Sequence, residues 1–450
     1  DKEACHVGEP IAVVIADDRY IAEDAAALVE IDFDILPASA FAEAAAQPGS
    51  PVAHSDAEHN ILAEFNMGYG DPDGAFANAA HTVSDKFSIH KGLGMAIEGR
   101  GLVARFDPLE DRLTVWLATQ MPHMAHRTLV NLLGRNETNT RVVTPDIGGG
   151  FGPKLVFYPE DIVVATAALI LEAPVKWIED RREHFTTSTQ ERDQIWDMEL
   201  AVDNDGKFLA VRGTMIHDHG AYTARGVNVA QNAGSIVPGP YEIANYNLDI
   251  KLVLTNKPCV TPVRGAGYPQ GCFAMERLID QAATKLGLPR DEIRRRNLIA
   301  DDAYPTKGAS GIAFEGLSHH ASLEKLMAAI DYDGMRSERD SLREKGIYRG
   351  IGFAAMIELT NPGAAMYGIG GARISSQDGA QARLDSSGSL VVHTSITEQG
   401  QGTDAIVAQI AASAFGTSPD KVKVVTGDTD HVPTGGGTWG SRGAGIGGEA

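Results

Sequence analysis

The sequence is short of cysteine. Three are present, Cys5, Cys259 and Cys272, in 450 residues, and no two form a CxxC pair. Iron–sulfur clusters and structural zinc need closely spaced thiolates, so neither is expected on this chain. Isolated thiols fit the reducing cytoplasm. Positive charge is short as well. Lys and Arg number 39 against 60 Asp and Glu, for a formal net charge of -21. That balance excludes a nucleic-acid backbone as the main partner. Long apolar runs are missing. The longest, "IVVATAALIL" from Ile162 to Leu171, is half the ~20 residues a membrane-spanning helix needs. No signal-peptide pattern opens the chain. Hydrophobic content of 43% and charged content of 22% are ordinary for a globular protein with two or three domains.

Glycine is plentiful, at 49 residues. Its densest use is "VTPDIGGGFGPK" (143–154), after a β-branched run. So much bare backbone costs conformational entropy and implies a close approach to something. The stretch is not a P-loop, because Pro153 precedes Lys154 where the motif needs glycine. "GAGIGG" (443–448) matches GxGxxG but lacks a clear preceding strand, so a dinucleotide fold is weakly supported. Two more stretches resemble it in composition: "TEQGQGTDA" (397–405) and "PVRGAGYPQGCFAMERLID" (262–280). Each could be a tight strand-to-helix connection. Together they offer amide side chains, backbone donors and one guanidinium, which suit a polar heterocycle carrying phosphates.

The hydrophobic periods give an α+β chain. Residues 11–16 read as a buried strand, 19–31 as a helix and 29–36 as a second strand, so 1–40 is a small α/β piece. Residues 41–75 read as a linker carrying one strand, "NILAEFNMG". Two larger regions follow, 76–300 and 301–450. Strand, glutamine-bearing turn, helix, strand and glycine loop occur at 112–154 and again at 390–443. The echo is either the ordinary likeness of β-α-β units or a related pair presenting two loops to one ligand. The chain starts inside a strand and stops as a helix begins, which reads as a fragment or one piece of a split subunit.

These stretches, in this order, resemble the molybdenum-binding subunit of the molybdenum hydroxylases, the xanthine dehydrogenase and aldehyde oxidase family. The likeness covers nearly the whole chain, including "TQMPHMAHRTLVNLLG", "DIGGGFGPK", "VKWIEDRREHF", "DHGAY", "EQGQGTDAIVAQIAASAFG" and "GDTDHVPTGGGTWGSRG". It implies that residues 1–40 end a hammerhead domain and that the rest binds molybdopterin. It implies catalytic roles for Gln120, Phe151 and Arg264. Gly149, Gly150, Phe151, Gly152 and Arg264 would line the cofactor. Gln399, Gly400, Gln401 and Gly402 would bind the pterin and its phosphate. Thr438, Gly440, Ser441 and Arg442 would form a second cofactor loop. No side chain would ligate the metal, which the pterin dithiolene would hold. The implied cofactor is molybdenum–molybdopterin, as the cytosine dinucleotide, with 2Fe-2S and FAD on partner chains. An iron–sulfur subunit, an FAD subunit and a dimer of such heteromers follow from the same likeness.

The family's catalytic glutamate lies in a GxGE segment that is not found in this sequence. Glu9 reads as part of the hammerhead strand, and Glu449 as the start of a helix. The base would then come from another segment, on this or a separate polypeptide. A carbon monoxide dehydrogenase-like enzyme lacking the copper-binding cysteine and a non-catalytic scaffold paralogue are the competing readings. Gly265 stands where copper-containing carbon monoxide dehydrogenases have cysteine. Leu155 and Ala266 replace a glutamate and an aromatic used by purine hydroxylases. An aldehyde or an N-heteroaromatic substrate remains. Cys272 reads as core, His123 and His126 as solvated or capping, and Arg294, Arg295 and Arg296 as a surface run. Asn136 begins a formal sequon without meaning in a cytoplasmic protein.

Overall fold

The computed structural model describes residues 3–308, 311, 313–362 and 376–450. Its first half runs α1 (Arg19–Ala26), α2 (Ala42–Ala45), β1 (Ile61–Tyr69), α3 (Pro72–Ala77), β2 (His81–Gly92), β3 (Gly101–Asp107), β4 (Arg112–Leu117), α4 (Pro122–Leu133), β5 (Thr140–Val143), α5 (Pro159–Leu171), β6 (Val175–Ile178) and α6 (Arg181–Thr187). There follow β7 (Glu191–Val202), β8 (Phe208–Gly220), α7 (Val227–Ser235), β9 (Asn245–Leu254), α8 (Tyr268–Leu286) and α9 (Arg290–Asn297). The remainder holds β10 (Thr306–Lys307), β11 (Ala313–Phe314), α10 (His319–Ala329), α11 (Tyr332–Glu344), β12 (Ala380–Leu384), β13 (Leu390–Thr394), α12 (Thr403–Phe415) and β14 (Val422–Val425).

The largest sheet has the order β1-β9-β8-β7-β2. In β7 the side chains of Gln194, Trp196, Met198 and Leu200 alternate onto one fully buried face. Met215, Leu248 and Ile250 join them, and α8 covers the face with Leu278 and Ile279. Each such side chain contributes about 1.5–3 kcal/mol by leaving water. The strand expected at 60–68 is β1, and it pairs antiparallel with β9 along its whole length.

Two smaller sheets bear out the echo in the sequence. In the first, ordered β5-β4-β3-β6, β3 runs antiparallel to β4 and β4 runs parallel to β5, with α4 as the crossover. In the second, β12 runs antiparallel to β13 and β13 parallel to β14, with α12 as the crossover. A parallel pair needs such a crossover, and the helix covers the sheet it spans. Even the short 3₁₀ turns before the third strands recur, at Glu137–Asn139 and Pro419–Lys421. Both helices end at a left-handed glycine, Gly134 and Gly416. The two units meet at the ends of β5 and β14. Thr144 N–H donates to Gly427 O at 2.7 Å, Thr429 N–H to Val142 O at 3.0 Å, and Arg141 forks onto Asp428 at 2.9 and 2.5 Å.

Some expectations are corrected. Residues 11–16 and 29–36 form no strand; Ile11, Val13, Ile15, Ile31, Phe33 and Ile35 are exposed. The alternation suits a sheet, but a strand needs a ladder partner, and no described residue supplies one. Glu9 lies in a loop, where its carboxylate accepts from Cys5 N–H at 2.6 Å and Tyr222 OH at 2.5 Å. Arg294 is buried, paired with Glu276 at 2.5 Å and Asp280 at 3.0 Å, so the arginine run is not all surface. His123 is buried in the second position of α4, and burial pushes its pKa down to about 4. His126 instead meets the carbonyls of Glu137 and Thr140.

Candidate cofactor site

The site is built where the four strand ends of the two units come together. β4 and β13 each end in a turn that carries a glutamine, and β5 and β14 each end in a glycine loop. The floor is Gln120. Its side chain is buried, and its amide ties the two glycine loops together. Oε1 accepts from Gly152 N–H at 2.8 Å, and Nε2 donates to Thr438 O at 2.9 Å. Its backbone does the same: N–H donates to Lys154 O at 2.9 Å, and C=O accepts from Thr438 N–H at 3.0 Å. Gln399 of the second unit adds a bond from Nε2 to Thr438 O at 3.1 Å. A further backbone bond runs from Ile147 N–H to Glu398 O, 3.3 Å. The two loops are thus one structure.

Glycine is required where the loops are tightest. A Cβ on Gly152, at φ +119°, would stand 2.1 Å from Pro262 O, and one on Gly437, at φ +75°, 2.2 Å from Gln120 O. Pro262 leads to Arg264, whose N–H donates to Phe151 O at 2.9 Å. The arginine loop is thereby fixed against the first glycine loop. Phe151 itself has φ +58° and is 41% exposed. A bulky residue in that backbone region marks strain held for a purpose.

The rim faces solvent. It consists of Phe151, Arg264, Gly400, Gln401, Gly440 and Ser441. The Arg264 guanidinium has no hydrogen-bond partner among the described residues. The backbone N–H groups of Gly150 and Phe151 on one loop, and of Gly440 and Ser441 on the other, meet no acceptor among the described residues either. Gly150 is buried, so its free donor asks for a ligand. Donors on two loops, beside an aromatic face and a free guanidinium, fit a polar heterocycle bearing anionic groups. No group of three or more His, Cys, Asp or Glu able to hold a metal occurs among the described residues.

Two sets of expected site residues have partners within the protein. The N–H groups of Gly400 and Gly402 are already spent on the Glu398 carboxylate, at 2.7 and 3.1 Å, as are those of Gln399 and Asp404 at 3.0 and 3.1 Å. These donors hold Glu398 below the ordinary carboxylate range against the effect of its burial. A phosphate at this turn would meet the Gln401 N–H instead. Arg442 is fully buried. It pairs with Asp378 at 2.7 Å and donates to Gly437 O at 3.1 Å. It braces the second loop from behind and does not face the rim. Leu155 also points inward, into an apolar cluster with Met121 and Trp439.

Sequence reasoning missed the supports. The quoted stretch "VKWIEDRREHF" holds Glu179 and His184, which form a buried network with Arg100. The Arg100 guanidinium lies 3.8 Å from the Tyr158 ring, and Tyr158 OH donates to Pro153 O at 2.7 Å. Glu98 supports the loop from a distant segment. Its charge in "AIEGRG" gave no signal, because nothing local marks a contact 50 residues onward.

Comparison with known proteins gives the same picture. Residues 53–298 match the model of a molybdopterin cofactor-binding domain, and residues 325–450 match a second molybdopterin cofactor-binding domain. The chain is 33% identical to the nicotine 6-hydroxylase large subunit of Paenarthrobacter nicotinovorans, over 98% of this chain and 54% of that protein. It is 35% identical to the carbon monoxide dehydrogenase large chain of Hydrogenophaga pseudoflava, over 98% of this chain and 57% of that one. The solved quinoline 2-oxidoreductase from Pseudomonas putida 86 superposes with a TM-score of 0.91 at 32% identity, covering 95% of this chain and 55% of that one. The chain spans about half the length of the curated relatives it matches.

Proposed function

Because the chain belongs to the molybdopterin-binding large-subunit family of molybdenum hydroxylases, we propose that it holds a molybdenum–molybdopterin cofactor between its two glycine loops and takes part in oxidising an N-heteroaromatic or aldehyde substrate. The observation that carries this reading is the pair of loops joined through Gln120, each with backbone N–H groups that meet no acceptor among the described residues, the first loop being tied also to Arg264. The bound cofactor supplies the two-electron redox centre at which a water-derived oxygen enters the substrate.

The protein's own groups bind, orient and exclude water. Gly150 and Phe151 N–H groups stabilise negative charge on the bound cofactor, as preorganised donors do in a dry site. Gln120 fixes their direction by holding Gly152. Phe151 offers an aromatic face to a flat ring, and Arg264 donates to a polar substituent or ring nitrogen. Met121, Leu155 and Trp439 close the floor to water. Leu155 offers a purine no acceptor, and Gly265 after Arg264 offers no thiol for copper. Nicotine and quinoline, named in two relatives, place N-heteroaromatics first.

Two nearby carboxylates are already engaged: Glu98 accepts from Gly148 N–H and Lys154, and Glu398 from four backbone N–H groups. The family's GxGE segment is not found in this sequence, and the proton acceptor is assigned to such a segment, on the same or a separate polypeptide. The cofactor is the cytosine dinucleotide form. Electrons leave through a 2Fe-2S subunit and an FAD subunit, in a cytoplasmic dimer of heteromers. No helix of the described residues is long and apolar enough to cross a membrane. Elemental analysis of the purified complex, paired with CMP release on acid hydrolysis, tests the reading. About one molybdenum and one CMP per chain is expected. A folded complex with neither would leave a scaffold paralogue.

A further inference from the structure

The first glycine loop is closed by a side chain that lies far from it in sequence. Glu98 precedes β3, in the segment joining it to β2. Its Oε2 accepts from Gly148 N–H at 2.7 Å and from Lys154 Nζ at 2.6 Å. Gly148 and Lys154 are the two ends of the loop that carries Gly150, Phe151 and Gly152. The Glu98 backbone adds a third tie, from N–H to Gly148 O at 3.3 Å. The neighbouring residues fit the same surface: a Cβ on Gly94 would stand 2.9 Å from the Pro153 ring, and the Ala96 Cβ is 3.3 Å from the position of one on Gly149.

The two partners are unequally buried. The Lys154 side chain is 1% exposed, whereas that of Glu98 is 45% exposed. Burial pulls the Lys154 pKa down, and Glu98 opposes that pull. An ammonium enclosed in this way needs its counter-charge, since a buried cation without one is strongly unfavourable. The Lys154 carbonyl has a second task, accepting from Gln120 N–H at 2.9 Å and from Thr119 Oγ1 at 3.1 Å. The loop end held by Glu98 is thus also the shelf on which the floor glutamine rests.

We infer that Glu98 and Lys154 are positioning residues that staple the ends of the Gly148–Lys154 loop, so that the Gly150 and Phe151 N–H groups already face the cofactor before it binds. The inference rests on the cofactor reading above. It adds that the loop's aim depends on an ion pair outside the set of cofactor-contacting residues. Because Glu98 keeps an exposed edge, the staple can be altered without cutting into the core.

The test uses the intact complex with Glu98→Gln, Lys154→Met and the double variant. Glu98→Gln keeps an acceptor for Gly148 but strands the buried Lys154 charge. It is expected to lower molybdenum content at least fivefold and to alter the Mo(V) electron paramagnetic resonance spectrum of the loaded fraction, and the unpaired Lys154 charge also lowers the unfolding temperature of the complex. Removing the stranded charge in the double variant is expected to restore at least half of the molybdenum content. Wild-type content and spectrum in Glu98→Gln would overturn the inference. So would a double variant that regains the unfolding temperature but not the molybdenum, or one worse than Glu98→Gln alone. An unmodified complex that contains no molybdenum would instead overturn the cofactor reading itself.

Discussion

The two β-α-β units share a topology but are supported differently. The first, residues 101–178, has a four-stranded sheet, and α4 and α5 bury Leu113, Val115, Leu129, Ala165 and Ala168 completely. The second, residues 380–441, has three strands, an exposed β12 and a small cluster of Leu390, Val392, Ile396 and Val407. Its turn after β13 is held by the local Glu398, while the loop after β5 is held by the distant Glu98 and Gln120. A well-packed unit can hold its loop through long-range contacts, because their anchors do not move. A thinly packed unit relies on a carboxylate capping its own turn, where the chain needs little else to fix it.

The largest effect should come at the junction. A Cβ on Gly427, at φ +76°, would stand 2.1 Å from Thr144 O. Gly427→Ala should therefore cost about 3 kcal/mol or more in denaturant unfolding, through steric overlap and backbone strain. Gly400→Ala places its Cβ in open space at φ +90° and should cost only about 1 kcal/mol. Equal costs would mean that the units do not depend on their contact.

The glutamines should separate the units next. Gln120→Ala leaves the buried Gly152 N–H without its acceptor and removes one of two donors to the Thr438 carbonyl, and should cost about 2–4 kcal/mol. Gln399→Ala removes one bond to a carbonyl that has another donor, and should cost about 1 kcal/mol. A chemical-denaturation series on both variants would expose any reversal.

Acid should act on the units in opposite directions. His123 and Asp404 each occupy the second position of the crossover helix. Burial pushes His123 down to about 4, so its contribution to stability is full above its unfolded value of ~6.5 and is lost as pH falls through 4. Burial, Glu398 and Asp146 push Asp404 up. Its charged form therefore weakens the fold as pH rises above the unfolded carboxylate range, and Asp404→Asn should stabilise at pH 7. Unfolding temperatures of His123→Leu and Asp404→Asn from pH 4 to 8 would show slopes changed in opposite senses; a common change would refute the assignment. The smallest effect belongs to Arg141 and Asp428, a partly exposed pair. A double-mutant cycle should return about 1 kcal/mol of coupling.

Much of this was legible in the sequence because loops that must approach a ligand or each other use glycine. Gly150, Gly152 and the 397–405 turn stood out for that reason, and the period-2 and period-3.6 patterns placed β4, α4, β13 and α12. What stayed hidden is contact between distant segments. The exposed alternation at 11–16 and 31–35 reads like a strand whether or not a partner edge is present. Arg294 looks like a surface charge, and Arg442 like a cofactor-facing one, until Glu276 and Asp280, and Asp378, are brought beside them. Glu398 sits in plain view within its turn, but a carboxylate that fills the turn's own donors cannot be told from sequence apart from a turn that leaves them for a phosphate.

The central claim is that one cofactor is held by loops from both units. Its most direct test is the molybdenum content of the intact complex with Gly152→Ala in one preparation and Gly437→Ala in another. A Cβ on Gly152 would collide with Pro262 O and one on Gly437 with Gln120 O, so both variants should lose most of the metal. Loss in Gly152→Ala alone, with wild-type content in a folded Gly437→Ala complex, would contradict a shared site and leave the second unit as support only.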